Sequence, residues 1–181
     1  MTAAVEEASN PFRQQLIAAM PRLRRYARSL VFDVALADDL TQQTLERALS
    51  RWQQFEPGRD MAVWLLSIAH NAHLDGLRRD GRMSATDPAE LQRAQDACGG
   101  DPGVDVGLRL DLLAALRQLS PEQREPLLLV CVEQLSYAEA AKVMSIPAGT
   151  VMSRVCRARA TLRALLDGEA AAPAAPLRRV V

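Results

Sequence analysis

Apolar residues recur at three- and four-residue steps along most of the chain, and no stretch alternates with the two-residue period of a strand. In the first segment Leu16, Ile17, Met20, Leu23, Ala27 and Leu30 form one such stripe, interrupted at Pro21, where a kink or break is predicted. A second helix is predicted over 37–52 from the stripe Leu40, Thr44, Leu45, Ala48 and Leu49. The run from Phe55 to Asp60 contains Pro57 and Gly58 and reads as a turn. A third helix follows over 61–79, carried by Val63, Trp64, Leu65, Ile68, Ala72, Leu74 and Leu77. The pattern then lapses. Residues 81–107 hold five glycines and two prolines among few large apolar side chains, which marks a connector with room for a short helix near 88–97. Helical spacing returns from Leu108 to Leu166, and the Ala- and Pro-rich end reads as a disordered tail. The prediction is an all-α chain with two small helical domains joined by a flexible acidic linker. Its bounds are a disordered 1–11, a first domain 12–82, the linker 83–107, a second domain 108–166 and a disordered 167–181.

Start signals sharpen the second domain. Ser120 is placed to cap, Pro121 suits the first helical position, and Gln123 is placed to close a capping box; Ser136 and Glu139 repeat that box. Pro126, inside the helix that Ser120 opens, deletes the bond to the Glu122 carbonyl and is expected to bend it. After the short helix opened by Ser136, the run from Ser145 to Gly149 reads as a turn and a longer helix begins near Thr150, a helix-turn-helix arrangement. In that last helix Val151, Val155, Ala158, Leu162 and Leu165 are the buried stripe. Thr150, Ser153, Arg154, Arg157 and Thr161 form the opposite one. Residues 149–166 hold four arginines, among them Arg159, and no acidic residue. A basic, hydroxyl-bearing stripe suits the major groove, since Arg bonds guanine edges bidentately and other arginines meet phosphates.

Composition adds bounds. Apolar residues make up 49% of the chain and aromatics 4%, so the core is aliphatic, which favours helices. Net charge is zero but unevenly placed. Residues 11–83 carry 11 basic and 8 acidic side chains, residues 84–106 carry 1 and 5, and residues 107–166 carry 8 and 5. Two basic blocks flank an acidic connector, a distribution suited to nucleic-acid contact. The three cysteines lack C-x-x-C spacing and read as reduced thiols. His70 and His73 stand three apart with no Cys or additional His beside them, so no metal and no cofactor are expected. Neither a P-loop nor a nucleophile–base pattern is evident, so the chain is expected not to be an enzyme. No apolar run suits a membrane span and Met1–Asn10 is acidic, which predicts no membrane insertion and a cytoplasmic protein.

Residues 135–163, LSYAEAAKVMSIPAGTVMSRVCRARATLR, resemble region 4 of the extracytoplasmic-function (ECF) sigma factors, and LSPEQRE at 119–125 resembles the entry to that region. DDLTQQTLERA at 38–48 resembles region 2.2, with Gln43 where the family often has Glu. WQQF at 52–55 and AVWLLSIAHNAHLDGLRR at 62–79 resemble regions 2.3 and 2.4. The resemblance implies a transcription initiation factor that binds core RNA polymerase and promoter DNA and is controlled by an anti-sigma factor, in a stress or envelope response. It implies that Asp39, Gln42, Gln43, Glu46 and Arg47 grip the clamp helices of the β′ subunit. It implies that Phe55, Arg59, Asp60, Met61, Asn71, Arg78 and Arg79 serve the melted −10 element, and that Thr150, Ser153, Arg154, Arg157 and Arg159 serve the −35 element. Trp64 is read as core. The acidic linker, with Asp87, Glu90, Asp96, Asp101 and Asp105, is expected to enter the polymerase cleft or to act as a solvated tether. Two other readings stand beside this one: a helix-turn-helix regulator acting without polymerase, and a protein-interaction module that never meets DNA.

Overall fold

The computed structural model describes residues 2–80 and 106–167, with side-chain environments over 11–79 and 110–167. The described residues form seven α-helices and one short 3-10 turn, with no strand among them. These are α1 (Thr2–Val31), α2 (Val34–Ser50), the 3-10 turn Trp52–Gln54, α3 (Met61–Asp80), α4 (Val106–Gln118), α5 (Pro121–Cys131), α6 (Tyr137–Met144) and α7 (Ala148–Leu166). The predicted helix at 88–97, the five acidic linker residues, Cys98 and the tail beyond Asp167 lie outside the described residues.

Helices α1, α2 and α3 pack mutually into one unit. Its core is lined by Leu16, Leu23, Ala27 and Leu30 from α1, Ala37, Leu40 and Ala48 from α2, and Leu65, Leu66 and Ala69 from α3. Phe12, Phe55 and Trp64 close one end, Phe12 edge to face with the other two and all three centroids 5.2–6.0 Å apart. Contrary to the predicted break, α1 runs unbroken through Pro21. Pro21 and Ile17 both face solvent, so the carbonyl that loses its N–H partner is open to water. Ile17 and Leu49, assigned to apolar stripes from spacing, are 64% and 48% exposed; α1 buries Phe12, Ala19 and Tyr26 instead.

The second unit packs α4, α5 and α6 around α7, with Leu128, Leu129, Val143, Val151, Val155 and Ala158 inside. Helix α5 also continues through its proline, because Pro126 is buried while the orphaned Glu122 carbonyl belongs to an exposed residue. Ser120 stands at the N-cap with extended dihedrals but makes no side-chain cap bond, so the predicted box with Gln123 does not form. The box of Ser136 and Glu139 does form: Ser136 Oγ accepts from the Glu139 amide at 3.2 Å, and Glu139 Oε2 accepts from the Ser136 amide at 2.8 Å. The turn between α6 and α7 is tighter than the spacing suggested. Ser145 takes the left-handed conformation at φ 53, and α7 begins at Ala148, so Gly149 is already helical.

The two units dock on one another, α1 against α5 and α3 against α6. Charged and aromatic side chains make the joint. The Glu133 carboxylate, with no side-chain exposure, accepts from Arg22 Nε at 2.8 Å and Arg25 Nη2 at 3.1 Å. A second Arg22 nitrogen donates to the Glu133 carbonyl. Glu125, almost as deeply buried, has its Oε1 2.6 Å from both Tyr26 Oη and His70 Nδ1. Phe32 carries the guanidiniums of Arg124 and Arg117 at 4.9 and 5.3 Å from its ring centroid, and Arg117 also donates to its carbonyl at 3.4 Å.

Candidate nucleic-acid and polymerase interface

Helix α2 starts where Asp33 Oδ1 accepts from the Leu36 amide at 2.9 Å. It buries Ala37, Leu40, Thr41, Thr44 and Ala48, and therefore turns Asp39, Gln42, Gln43 and Glu46 to solvent together. Thr41 and Thr44 bond back to the Ala37 and Leu40 carbonyls, both at 2.7 Å, which lets hydroxyls sit inside. Leu36 and Leu49, about half exposed, stand at the two ends of this polar stripe. Exposed leucines beside a polar row suit a protein-binding face. Arg47 does not join that face. It turns to α3 and pairs with Asp75 at 3.1 Å, and Arg47, Asp75, Arg78 and Arg79 together line a shallow open pocket. Three guanidiniums around one carboxylate leave net positive charge for a phosphate.

The residues expected to serve the −10 element divide in two. Phe55 is half-buried in the aromatic cluster and Met61 is only 6% exposed, so both support the loop from beneath. Asp60 is exposed, yet its Oδ1 accepts from the Ala62 amide at 2.7 Å and so fixes the start of α3; its other oxygen lies 3.8 Å from Arg22. Arg59 is exposed and pairs with Glu56 at 2.7 Å. Asn71, Arg78 and Arg79 are exposed along α3. Trp64 packs against Phe12 and Phe55, as read from the sequence.

On α7 the buried stripe Val151, Val155 and Ala158 fixes the orientation of the rest. Ser153 and Arg157 point outward side by side, Arg157 Nε donating to the Ser153 carbonyl at 3.4 Å. Thr150 is half-buried. Arg154 is drawn against α5 by Glu122 at 3.3 Å and keeps 22% side-chain exposure. Arg159 lies apart from the Ser153–Arg157 row and donates to the Cys131 sulfur at 3.3 Å; that contact raises its pKa further above the ordinary arginine value. Met152 and Cys156 are the residues that spacing missed. They are exposed, four apart, and adjoin Ser153 and Arg157 on the same face. The missed signal was the 149, 152, 153, 156, 157 register; a search for polar stripes passes over a methionine and a cysteine.

The residues of the docked joint were missed too. Glu125, Leu129 and Glu133 stand at four-residue steps, two carboxylates in a buried stripe. His70 is taken up by Glu125. His73 has a buried Nε2 without a hydrogen bond, and desolvation lowers its pKa below the ordinary histidine value. Among the described residues no cluster of three metal-ligating side chains occurs, and no helix is long and apolar enough to cross a membrane.

Residues 109–162 match the family described as Sigma-70, region 4, and residues 16–70 match that described as the Sigma2 domain of PhyR. The ECF RNA polymerase sigma factor EcfG of Rhodopseudomonas palustris is 37% identical over 159 residues, covering 87% of this chain and 86% of that protein. The RNA polymerase sigma factor CarQ of Myxococcus xanthus is 33% identical, covering 88% and 91%. Among solved structures, the sigma factor RpoE in complex with the anti-sigma factor NepR from Bartonella quintana superposes with a TM-score of 0.73 at 33% identity, over 87% of this chain and 97% of that one. CnrH in complex with the cytosolic domain of CnrY gives 0.63 at 29% identity, over 92% and 96%.

Proposed function

Starting from the fact that the chain belongs to the ECF RNA polymerase sigma factors, we propose how its surfaces divide the work of directing core polymerase to promoters. The exposed stripe Asp39, Gln42, Gln43 and Glu46 on α2, with Leu36 and Leu49, docks on the clamp helices of the β′ subunit. Arg47 acts from behind, holding α2 to α3 through Asp75. Arg59, Asn71, Arg78 and Arg79 meet the separated −10 strand, the arginines by phosphate contact. Phe55, Asp60 and Met61 shape the loop that presents them. In the second unit Ser153 and Arg157 read −35 base edges, Met152 and Cys156 flank them, and Arg154 and Arg159 lie behind the reading row.

The observation that carries this reading is the α7 surface. The second helix of a helix-turn-helix presents an exposed hydroxyl-and-arginine row with no acidic residue from 149 to 166. Such a factor contributes binding energy, and polymerase makes the RNA. The similar sigma factor RpoE was solved with the anti-sigma factor NepR, which supports control of this chain by a partner of that kind in the cytoplasm. Co-elution of the purified chain with core polymerase on a sizing column tests the reading, with a housekeeping sigma factor run in parallel. Co-elution that is lost in Glu46→Arg is the expected result. Failure to co-elute while the housekeeping factor binds would leave a helix-turn-helix regulator independent of polymerase.

A further inference from the structure

The last turns of α2 and α3 share an open hollow of about 320 Å³, lined by Arg47, Asp75, Arg78 and Arg79. Asp75 gathers the other three. Its Oδ2 accepts from Arg47 Nη1 at 3.1 Å, its Oδ1 lies 4.0 Å from Arg78 Nη1, and its carbonyl accepts from Arg79 Nε at 3.1 Å. Among these four side chains, three guanidiniums against one carboxylate leave two positive charges unmatched. Like charges gathered this closely repel, and a carboxylate that is 46% exposed offsets only one of the three. A bracing contact between α2 and α3 needs Arg47 and Asp75; it does not call for Arg78 and Arg79 beside them.

The cluster is open to a ligand. Among the described residues Asp75 is the hydrogen-bond partner of the Arg47 side chain, through one N–H of its planar fork, and the remaining donors are unengaged. The side chains of Arg47 and Arg78 keep 33% and 78% exposure, so both are within reach from solvent. The hollow is about ten times the volume share of one water molecule, which admits a phosphate group. Asn71 stands one turn before Asp75 on α3, about 6 Å along the axis, and Arg79 one turn after it. The hollow thus continues the exposed stripe that meets the −10 strand, and a strand laid on Asn71 has its backbone within reach of the arginines.

We propose that Arg47, beyond holding α2 to α3, is a phosphate ligand: with Arg78 and Arg79 it closes on one backbone phosphate of the separated −10 strand. Asp75 is the positioning residue that keeps the three guanidiniums around that phosphate. This rests on the sigma-factor reading above. Helix α2 then meets DNA along its inner edge while its outer stripe faces polymerase. A phosphodiester suits the site because bidentate N–H pairs of arginine match phosphate oxygens.

The test uses the full chain with core polymerase. A promoter is taken from run-off transcription on genomic fragments, and its dye-labelled non-template −10 strand is the probe, read by anisotropy. Wild type is compared with Arg47→Gln, which keeps an amide donor for Asp75 and loses the charge, and with Arg47→Lys, which keeps the charge and loses the fork. Arg47→Gln is expected to bind about tenfold more weakly. Its slope of log affinity against log salt should be shallower by about 0.7, the value for one phosphate on a single strand. Arg47→Lys should fall between the two with the wild-type slope. Methylphosphonate placed at one linkage at a time neutralises single phosphates, and at one position the gap between wild type and Arg47→Gln should close. Full binding by Arg47→Gln would overturn the proposal, because a mere brace is rescued by glutamine. A gap that persists at every methylphosphonate position would overturn it too, as would a wild-type profile with no sensitive linkage, which needs no variant to fold. Absence of run-off transcripts with wild type would instead sink the sigma-factor reading, which keeps the two failures apart.

Discussion

Tyr26→Phe isolates one bond of the joint. The tyrosine is fully buried in α1, and its hydroxyl donates to Glu125 of α5 at 2.6 Å. Phenylalanine keeps the ring and leaves almost no cavity, so the loss is polar rather than one of packing. A hydrogen bond to a charged group contributes about 1.5–3 kcal/mol, and removing it leaves Glu125 with His70 as its remaining side-chain partner. The variant should therefore lose about 2 kcal/mol, or about 4–8 °C in midpoint for a body of this size. The loss should fall on docking, because Tyr26 and Glu125 belong to different units. Both tryptophans, Trp52 and Trp64, lie in the first unit, so their fluorescence follows that unit while circular dichroism follows all helices. In urea, wild type should give coincident curves, and Tyr26→Phe should shift the ellipticity curve below the fluorescence curve. A cycle with Glu125→Gln should show coupling of about 1–2 kcal/mol. A loss under about 0.5 kcal/mol, or equal cost with and without Glu125, would refute the assignment of Tyr26 to the joint.

Other consequences are open to direct measurement. Ser136→Ala removes a complete capping box and should cost about 1 kcal/mol by chemical denaturation. Arg157→Ala should weaken binding to the cognate −35 duplex by about 1–3 kcal/mol and relax selectivity at one base pair, whereas Arg159→Ala should weaken binding evenly across sequences and lessen its salt dependence. His73 faces Glu125 and Arg124 of α5 and lies near His70, and burial, chief among the causes, lowers its pKa. A depressed folded-state pKa means that its stabilisation is present above the ordinary value of about 6.5 and lost as pH falls through the lower folded value. Scattering of the free chain should accordingly show expansion on acidification, with the His73→Gln midpoint displaced; an unchanged titration would remove His73 from that account. Tyr26 has its pKa raised well above the ordinary value, first by burial and then by Glu125, so stability at the joint should also decline above about pH 10.

Helical periodicity made the elements legible because each unit buries an aliphatic stripe, and Val151, Val155 and Ala158 announce themselves at steps of four and three. It also placed the α2 stripe and the Ser153–Arg157 row outside, since the same buried stripes that form a helix fix what its opposite face presents. Where a side chain's partner lies on another helix, spacing is silent. Arg47 reads as one more exposed charge on α2 until Asp75, 28 residues away, is seen to hold it. Arg154 likewise shares a stripe with Ser153, and only the fold brings Glu122 to it. The break predicted at Pro21 failed for a related reason. A mid-helix proline is costly when its orphaned carbonyl is buried, and the linear pattern does not say that Ile17 and Glu122 face water.

The chemistry of the joint differs from that of an apolar docking face. A docking face made of leucines would be at least as stable, since well-packed apolar residues commonly replace buried ion pairs without loss. On undocking, however, each unit would then present an apolar patch to water and to other chains. With Glu125 and Glu133 on one side, and Arg22, Arg25, Tyr26 and His70 on the other, each unit on opening exposes groups that water solvates readily. The burial cost that makes these carboxylates dependent on their partners while docked vanishes once the faces are wet. The joint is therefore specific when closed and soluble when open.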